Sequence, residues 1–358
     1  ALARTDENIK GTKGLSIFLI EQAPPNSPES EKRRIGETEK RGRPQLDKKE
    51  IQRGKKSAIP IISLYGANKK PTEQHLRNID VVVFDIQDVG ARFYTYISTL
   101  HYVMEACAEN DIPFIILDRP NPNGYYVAGP VLDMKFQSFV GMHPIPIVYG
   151  LTIGELAMMI NGEGWLMCQV ETPDTTMVNK CELTVIKVKN YTHKTRYSLP
   201  VKPSPNLPND LAIKLYPSLC LFEGTNVSVG RGTHYPFQVI GSPEKSGSGS
   251  SSDFNFTPVS ITGMAKHPKH EGILCYGIDL GDRIITNGFT LSYLIDFYNT
   301  AADNANFFNS YFNKLAGNET LQKQIIAGKS EKEIKKSWRE DLDKYKLIRK
   351  KYLLYDDF

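Results

Sequence analysis

Residues 81–118 read VVVFDIQDVGARFYTYISTLHYVMEACAENDIPFIILD, and the spacing of their apolar residues sets the fold class. VVVFDI (81–86) is β-branched and aromatic until Asp85 interrupts it, which is the pattern of a strand. Over 95–110 the apolar residues Ile97, Leu100, Val103, Met104 and Cys107 recur three and four positions apart, the spacing of one helix face. IPFIILD (112–118) is again apolar almost throughout. Strand, helix and strand make a βαβ unit, and strands without polar alternation suit a parallel sheet covered on both faces. The right-handed crossover rule makes the two strands parallel, so both end at one edge, where open α/β sheets bind ligands. Each ends in an aspartate, Asp85 and Asp118.

If the two strands are neighbours, those side chains start ~5 Å apart, and with one strand between them ~10 Å. Either separation suits acid–base work on a glycosidic bond, which uses carboxyl pairs ~5 to 9.5 Å apart. The plainer reading is structural: one aspartate caps the following segment and the other pairs with Arg92 or Arg119. The residues beyond the two strand ends favour a site. Gln87, Asp88, Gly90 and Arg92 come first, with a turn at the glycine and a guanidinium able to form a bidentate fork. Tyr94 and Tyr96 then offer flat apolar faces with polar tips, suited to sugar rings as well as to packing. After the second strand, RPNPNG adds Arg119 and Asn121.

A second cluster lies in YPSLCLFEGTNVSVGRGTHYPFQVIG (216–241). LCLF reads as an apolar strand ending at Glu223, and Thr225, Asn226 and Arg231 follow among glycines and hydroxyls. No GxxxxGK[ST] occurs and no GxGxxG follows a strand, so the expectation is a Gly-rich loop holding a polar ligand. A turn-rich connection is the plain alternative.

The rest of the chain bounds the answer. Its 358 residues suffice for two domains, and the net charge of +4 gives no reason to expect a nucleic-acid partner. No apolar run reaches the ~18 to 20 residues of a membrane span. The five cysteines form no CxxC and no Cys/His cluster, so neither zinc site nor disulfide scaffold is expected. No GxSxG is present, which argues against a serine hydrolase, and no cofactor or metal is expected. Residues 31–57 hold eleven Lys/Arg, five Asp/Glu and almost nothing apolar. Such a segment buries too little to offset its ordering entropy, so residues 1–57 are read as an irregular, charged arm. AIPIISLYG (58–66) reads as the next strand, TIGELAMMINGEGWL (152–166) as an amphipathic helix and CELTVIKVKN (181–190) as a strand. PVKPSPNLPND (200–210) and EKSGSGSSSDFNF (244–256) read as loops, 280–327 as two or three helices, and the last stretch as one charged helix.

Several long motifs then converge on one family. FDIQDVGARFYTYISTL, ILDRPNPNG, VAGPVLD, SFVGMHPIPIVYGLTIGELAMMINGEGWL, PSPNLPN, YPSLCLFEGTNVSVGRGT, PFQVIG and the closing IIAGKSEKEIKKSW…YKLIRKKYLLY resemble the NamZ-type exo-β-N-acetylmuramidases across residues 58–358. The resemblance implies an α/β chain with a Rossmann-like domain over 58–145, a smaller α+β domain over 146–358, and a cleft between them. It implies release of N-acetylmuramic acid from the non-reducing ends of peptidoglycan fragments by an exported protein whose partner is a peptidoglycan-derived sugar or muropeptide. Matched position by position, it points to Asp85, Asp88 and Glu223 as catalytic candidates. For substrate binding it points to Gln87, Arg92, Tyr94, Tyr96, Asp118, Arg119, Asn121, Asn206, Thr225, Asn226 and Arg231. The family also carries an early VGLVTN-like strand and a Pro-Glu-His-Gly motif with a proposed catalytic Glu. Residues 1–57 contain neither, and Glu21, Glu29 and Glu37 sit in no matching motif. A non-catalytic muropeptide-binding protein on the same scaffold is therefore the alternative.

Overall fold

The computed structural model describes residues 68–166, 180–244, 254–281 and 288–358. It adds positions 62 and 64 and the backbone of 2–3, 16–18, 167–168 and 177–178. Along the chain, β1 (Leu2–Ala3) runs antiparallel to β2 (Ser16–Phe18), which pairs in parallel with β3 (Val82–Phe84). Helix α1 (Tyr96–Glu109) crosses to β4 (Phe114–Leu117), which lies parallel to β3 with Phe84 opposite Ile116. After the β5–β6 pair (Ala128–Val131, Pro146–Val148) comes α2 (Ile153–Gly162), and the short β7–β8 pair (Met167–Cys168, Met177–Val178) leads to β9 (Leu183–Ile186). The principal sheet is ordered β1-β2-β3-β4-β9, with β9 parallel to β4.

The βαβ reading of 81–118 is thus realised with β3 and β4 as direct neighbours, so Asp85 and Asp118 leave the sheet at one edge. Val82 and Phe84 are almost wholly buried, as are Ile97, Leu100, Val103, Met104 and Cys107 on one stripe of α1. Helix α2 closes the same core with Ile153, Leu156 and Ile160. It starts where the sequence dictates: Thr152 accepts from the Glu155 backbone N–H while the Glu155 side chain accepts from the Thr152 N–H, a reciprocal cap.

The second core begins at α3 (Asp210–Leu219) and the 3₁₀ turn Cys220–Gly224 that continues it. A three-stranded antiparallel sheet, β10 (Val239–Ser242), β11 (Asn255–Phe256) and β12 (Cys275–Asp279), packs with helices α4 (Ser292–Thr300), α5 (Phe312–Ala316) and α6 (Thr320–Ile326). Leu219, Phe222, Phe297, Phe307 and Phe312 lie at its centre. The chain closes with α7 (Glu331–Ser337) and α8 (Arg339–Lys350), and α8 returns to the first unit: Tyr345 donates to the Tyr149 carbonyl and Arg349 Nε to that of Gly150.

Four readings are corrected. LCLF is not a strand but the end of α3 and its 3₁₀ extension; a short apolar run holding a proline does not reveal its own period. Pro217 inside α3 leaves the Ile213 carbonyl without its helical donor, and the Asn123 side chain supplies one at 3.2 Å. The closing helix is two helices that break at Trp338, whose buried ring packs on Phe289. In the amino-terminal arm, Ser16–Phe18 is a regular strand of the main sheet. The main sheet also draws on Leu183–Ile186, well past the expected domain boundary at residue 145. Of the strand expected at 58–66 only Ile62 and Leu64 lie within the described residues, neither of them in a strand, and residues 31–57 lie outside them.

Candidate active site

The segment after β3 leaves the first core and enters the second: Val89, Ala91 and Phe93 belong to the cluster built around α3. Where the two units meet there is a cavity of about 340 Å³, near the lower end of the ~300 to 1,000 Å³ typical of small-molecule sites. Its walls come from residues 93–96 at the mouth of α1, the proline-rich loop 203–207, and the face of α3 and its 3₁₀ turn. Arg231, Phe237, Tyr311 and Leu315 complete it.

One wall is aromatic. Tyr94 meets Tyr96 edge-on at 5.1 Å and Tyr216 at 6.0 Å, while Tyr216 meets Phe237 at 5.0 Å. Tyr94 also donates to the Pro203 carbonyl at 2.8 Å, tying the proline loop to α1. Burial holds the Tyr94, Tyr216 and Tyr311 hydroxyls above the usual phenol range, so they remain neutral. Burial likewise pushes the Cys220 thiol up, which rules it out as a nucleophile at neutral pH.

The opposite wall is charged. Glu223 Oε2 pairs with Arg231 Nη1 at 3.1 Å, both side chains being partly exposed. Glu223 is the carboxylate among the residues that line the cavity. Asn206, also in the lining, donates through Nδ2 to the Met264 carbonyl at 2.8 Å. Its buried Oδ1 has no hydrogen-bond partner among the described residues. A buried amide oxygen left unpaired is costly unless something else donates to it.

Of the residues expected at a site, the structure brings Tyr94, Tyr96, Asn206, Glu223 and Arg231 to this cavity. The others serve elsewhere. Arg92 is fully buried, with Nη1 on the Pro130 and Ile145 carbonyls and Nη2 on those of Leu315 and Ala316, all at 2.8 to 2.9 Å. That guanidinium staples the two units together and faces no ligand. Asp118 accepts from Thr152 Oγ1, the Gly154 N–H and Tyr355, holding the start of α2. Burial raises its pKa while those donors oppose the shift. Asp88 accepts from the Gly90 N–H and from Tyr149, and burial raises its carboxyl to about 6.

Asn121 donates to the Leu151 carbonyl and Thr225 Oγ1 to that of Phe222, both as turn supports. The Gln87 amide bridges the carbonyls of Asp88 and Pro120. Asn226 lies beyond the lining, with a buried, unpartnered Oδ1. Asp85 is held at the sheet edge by Arg119, Nη2 to Oδ1 at 2.6 Å, with both side chains about one-third exposed. That ion pair is the plainer, structural role expected for one of the two strand-end aspartates. Tyr216 and Tyr311 were missed: the first stood in a segment read as strand, and the second carried no local signal.

Models of the exo-β-N-acetylmuramidase NamZ match residues 39–211 (N-terminal part) and 214–355 (C-terminal part). The chain is 40% identical over 318 residues to the peptidoglycan β-N-acetylmuramidase NamZ of Bacillus subtilis strain 168, covering 84% of this chain and 73% of that protein. Two crystal structures of DUF1343 family proteins from Bacteroides fragilis share the fold. One has a TM-score of 0.77 at 50% identity, covering 85% of this chain and 82% of the other. The second has a TM-score of 0.71 at 27% identity, covering 83% and 80%.

Proposed function

The chain belongs to the exo-β-N-acetylmuramidase NamZ family, and from that premise we propose that it is an exo-acting glycosidase. It releases N-acetylmuramic acid from the non-reducing ends of peptidoglycan fragments, and it works outside the cytoplasm, where that polymer lies. No helix among the described residues is long and apolar enough to cross a membrane. The observation that carries this reading is the cavity at the junction of the two units. It combines an aromatic wall with a Glu–Arg pair and an unpartnered amide oxygen.

A β-muraminide ring stacks on Tyr94 or Tyr96, its acetamido or hydroxyl donors meet Asn206 Oδ1, and its lactyl carboxylate meets Arg231. Arg231 lends Nη1 to Glu223, and a guanidinium carries five N–H donors in all. Cleavage breaks the bond from C1 to the leaving oxygen, with positive charge developing at C1. Glu223 stabilises that charge, and Asp85 at the sheet edge is the second acidic group of the site. Water supplies the hydroxyl that ends on C1 and, in balance, the proton that ends on the leaving oxygen.

A chromogenic β-N-acetylmuraminide and the matching β-N-acetylglucosaminide test the reading. The muraminide is expected to be hydrolysed, the glucosaminide far more slowly, and Glu223→Gln is expected to abolish turnover. Muramic acid binding without hydrolysis of any muraminide would make the chain a sugar-binding protein instead.

A further inference from the structure

Behind the Glu223–Arg231 pair lies a lysine that the catalytic scheme does not use. Lys269 Nζ lies 2.9 Å from the Phe222 carbonyl, 2.5 Å from that of Thr225 and 3.0 Å from that of Val227. An ammonium has three N–H donors, and these contacts employ all of them. The three carbonyls flank Glu223, one before it and two after, at the C-terminal end of the α3–3₁₀ segment. Carbonyls there point outward with partial negative charge, and a cation is favoured at that end. The next residue adds a fourth contact: His270 Nε2 meets the Asn226 carbonyl at 2.5 Å. His270 takes a left-handed φ of 59°, uncommon for a residue with a β-carbon.

We propose that Lys269 is a positioning residue for the reaction: by spanning the carbonyls of Phe222, Thr225 and Val227 it fixes the backbone on both sides of Glu223. That holds the Glu223 carboxylate against Arg231 at the cavity wall. The inference rests on the reading of Glu223 as the acting carboxylate. Lys269 is half-buried, and burial pushes its ammonium down to about 8, with Glu223 opposing the shift and Arg231 reinforcing it. A neutral lysine has lost one donor and its charge, so the clamp loosens above that pH. The other titratable neighbour, His270, is held below its usual range by burial and titrates on the acid side.

The sign of the linkage separates positioning from mere support. Because the folded pKa is lowered, the unfolded chain binds more protons between about 8 and 10.5, and stability from this group rises with pH in that window. Activity should fall there while stability from Lys269 does not.

The test compares wild type, Lys269→Met, Lys269→Arg and Glu223→Gln on the chromogenic muraminide from pH 5 to 10, with thermal melts alongside. Lys269→Met is expected to lower kcat by about 10- to 100-fold with KM little changed, the scale of a small misplacement of a catalytic group. Lys269→Arg, charged throughout, should recover most of the turnover and lose the alkaline fall that wild type shows near pH 8. Should Lys269→Met fail to fold, the wild-type and Lys269→Arg profiles decide alone. An impaired Glu223→Gln beside a Lys269→Met of wild-type turnover, or an alkaline fall kept in Lys269→Arg, overturns the inference alone. Full activity in Glu223→Gln overturns the reading of the cavity, and the inference with it.

Discussion

Replacing Arg92 by Met should damage stability and leave sugar recognition intact. The guanidinium is fully buried and bonds the carbonyls of Pro130, Ile145, Leu315 and Ala316. Those groups belong to the β5–β6 region of one unit and the end of α5 in the other. A buried acceptor left unpaired costs about 1 to 3 kcal/mol. The Ile145 carbonyl keeps the Leu132 N–H, which softens one loss. Against the remaining losses stands the relief of no longer burying a charge, and Met fills most of the stem's volume. Removing one member of a buried charged network typically destabilises by about 3 to 5 kcal/mol, and that is the expected range. It is a large part of the ~5 to 15 kcal/mol that holds a typical protein folded. Denaturant melts of wild type and Arg92→Met measure it, and calorimetric titration of the folded variant with N-acetylmuramic acid measures recognition. The expected result is a midpoint shift of that size with affinity unchanged within about twofold, or ~0.4 kcal/mol. A stability loss under about 1 kcal/mol together with a tenfold loss of muramic acid affinity would refute the reasoning and return Arg92 to the site.

Three further outcomes rest on the same kinds of contact. Arg231→Ala should weaken N-acetylmuramic acid by about 10- to 150-fold, the worth of a charge-assisted carboxylate contact, and N-acetylglucosamine far less; equal losses in titration would make Arg231 only the partner of Glu223. For Asp88, burial raises the carboxyl from 3.8 to about 6, so its stabilising contribution is present at low pH and lost as pH rises through about 6. Asp88→Asn should therefore gain roughly 1 to 3 kcal/mol in denaturant melts at pH 7.5 with turnover unchanged. The buried His101–His143 pair, 3.0 Å apart, acts in the opposite sense: burial lowers His101 to about 4 and His143 further. In an Asp88→Asn background stability should fall as pH drops from about 6.5 towards 4, by roughly 1.4 kcal/mol per pH unit for each histidine; a flat profile there would show that the pair protonates within the fold.

What the sequence by itself determined was whatever depends on local period and on residues close in the chain. Apolar spacing over 81–118 was enough for the βαβ unit, the parallel pairing and the shared edge of Asp85 and Asp118, since strand, helix and crossover hand are local matters. The Thr152 cap of α2 and the aromatic run at Tyr94 and Tyr96 were legible for the same reason. LCLF was not, because four apolar residues carry no period of their own, and only the packing of α3 decided that they continue a helix. Nor could residue type tell Arg92 from Arg231. Both follow a glycine near a run of polar groups, yet one is enclosed by four carbonyls from distant segments and the other meets Glu223 at a cavity. The cavity itself joins residues 93–96, 203–207, 216–231 and 311–315, and Lys269 reaches the Glu223 turn from more than forty residues away. Burial and partner choice are set by segments that meet only when the two cores close on each other, so tertiary structure alone decided which charged side chains bind and which hold the fold.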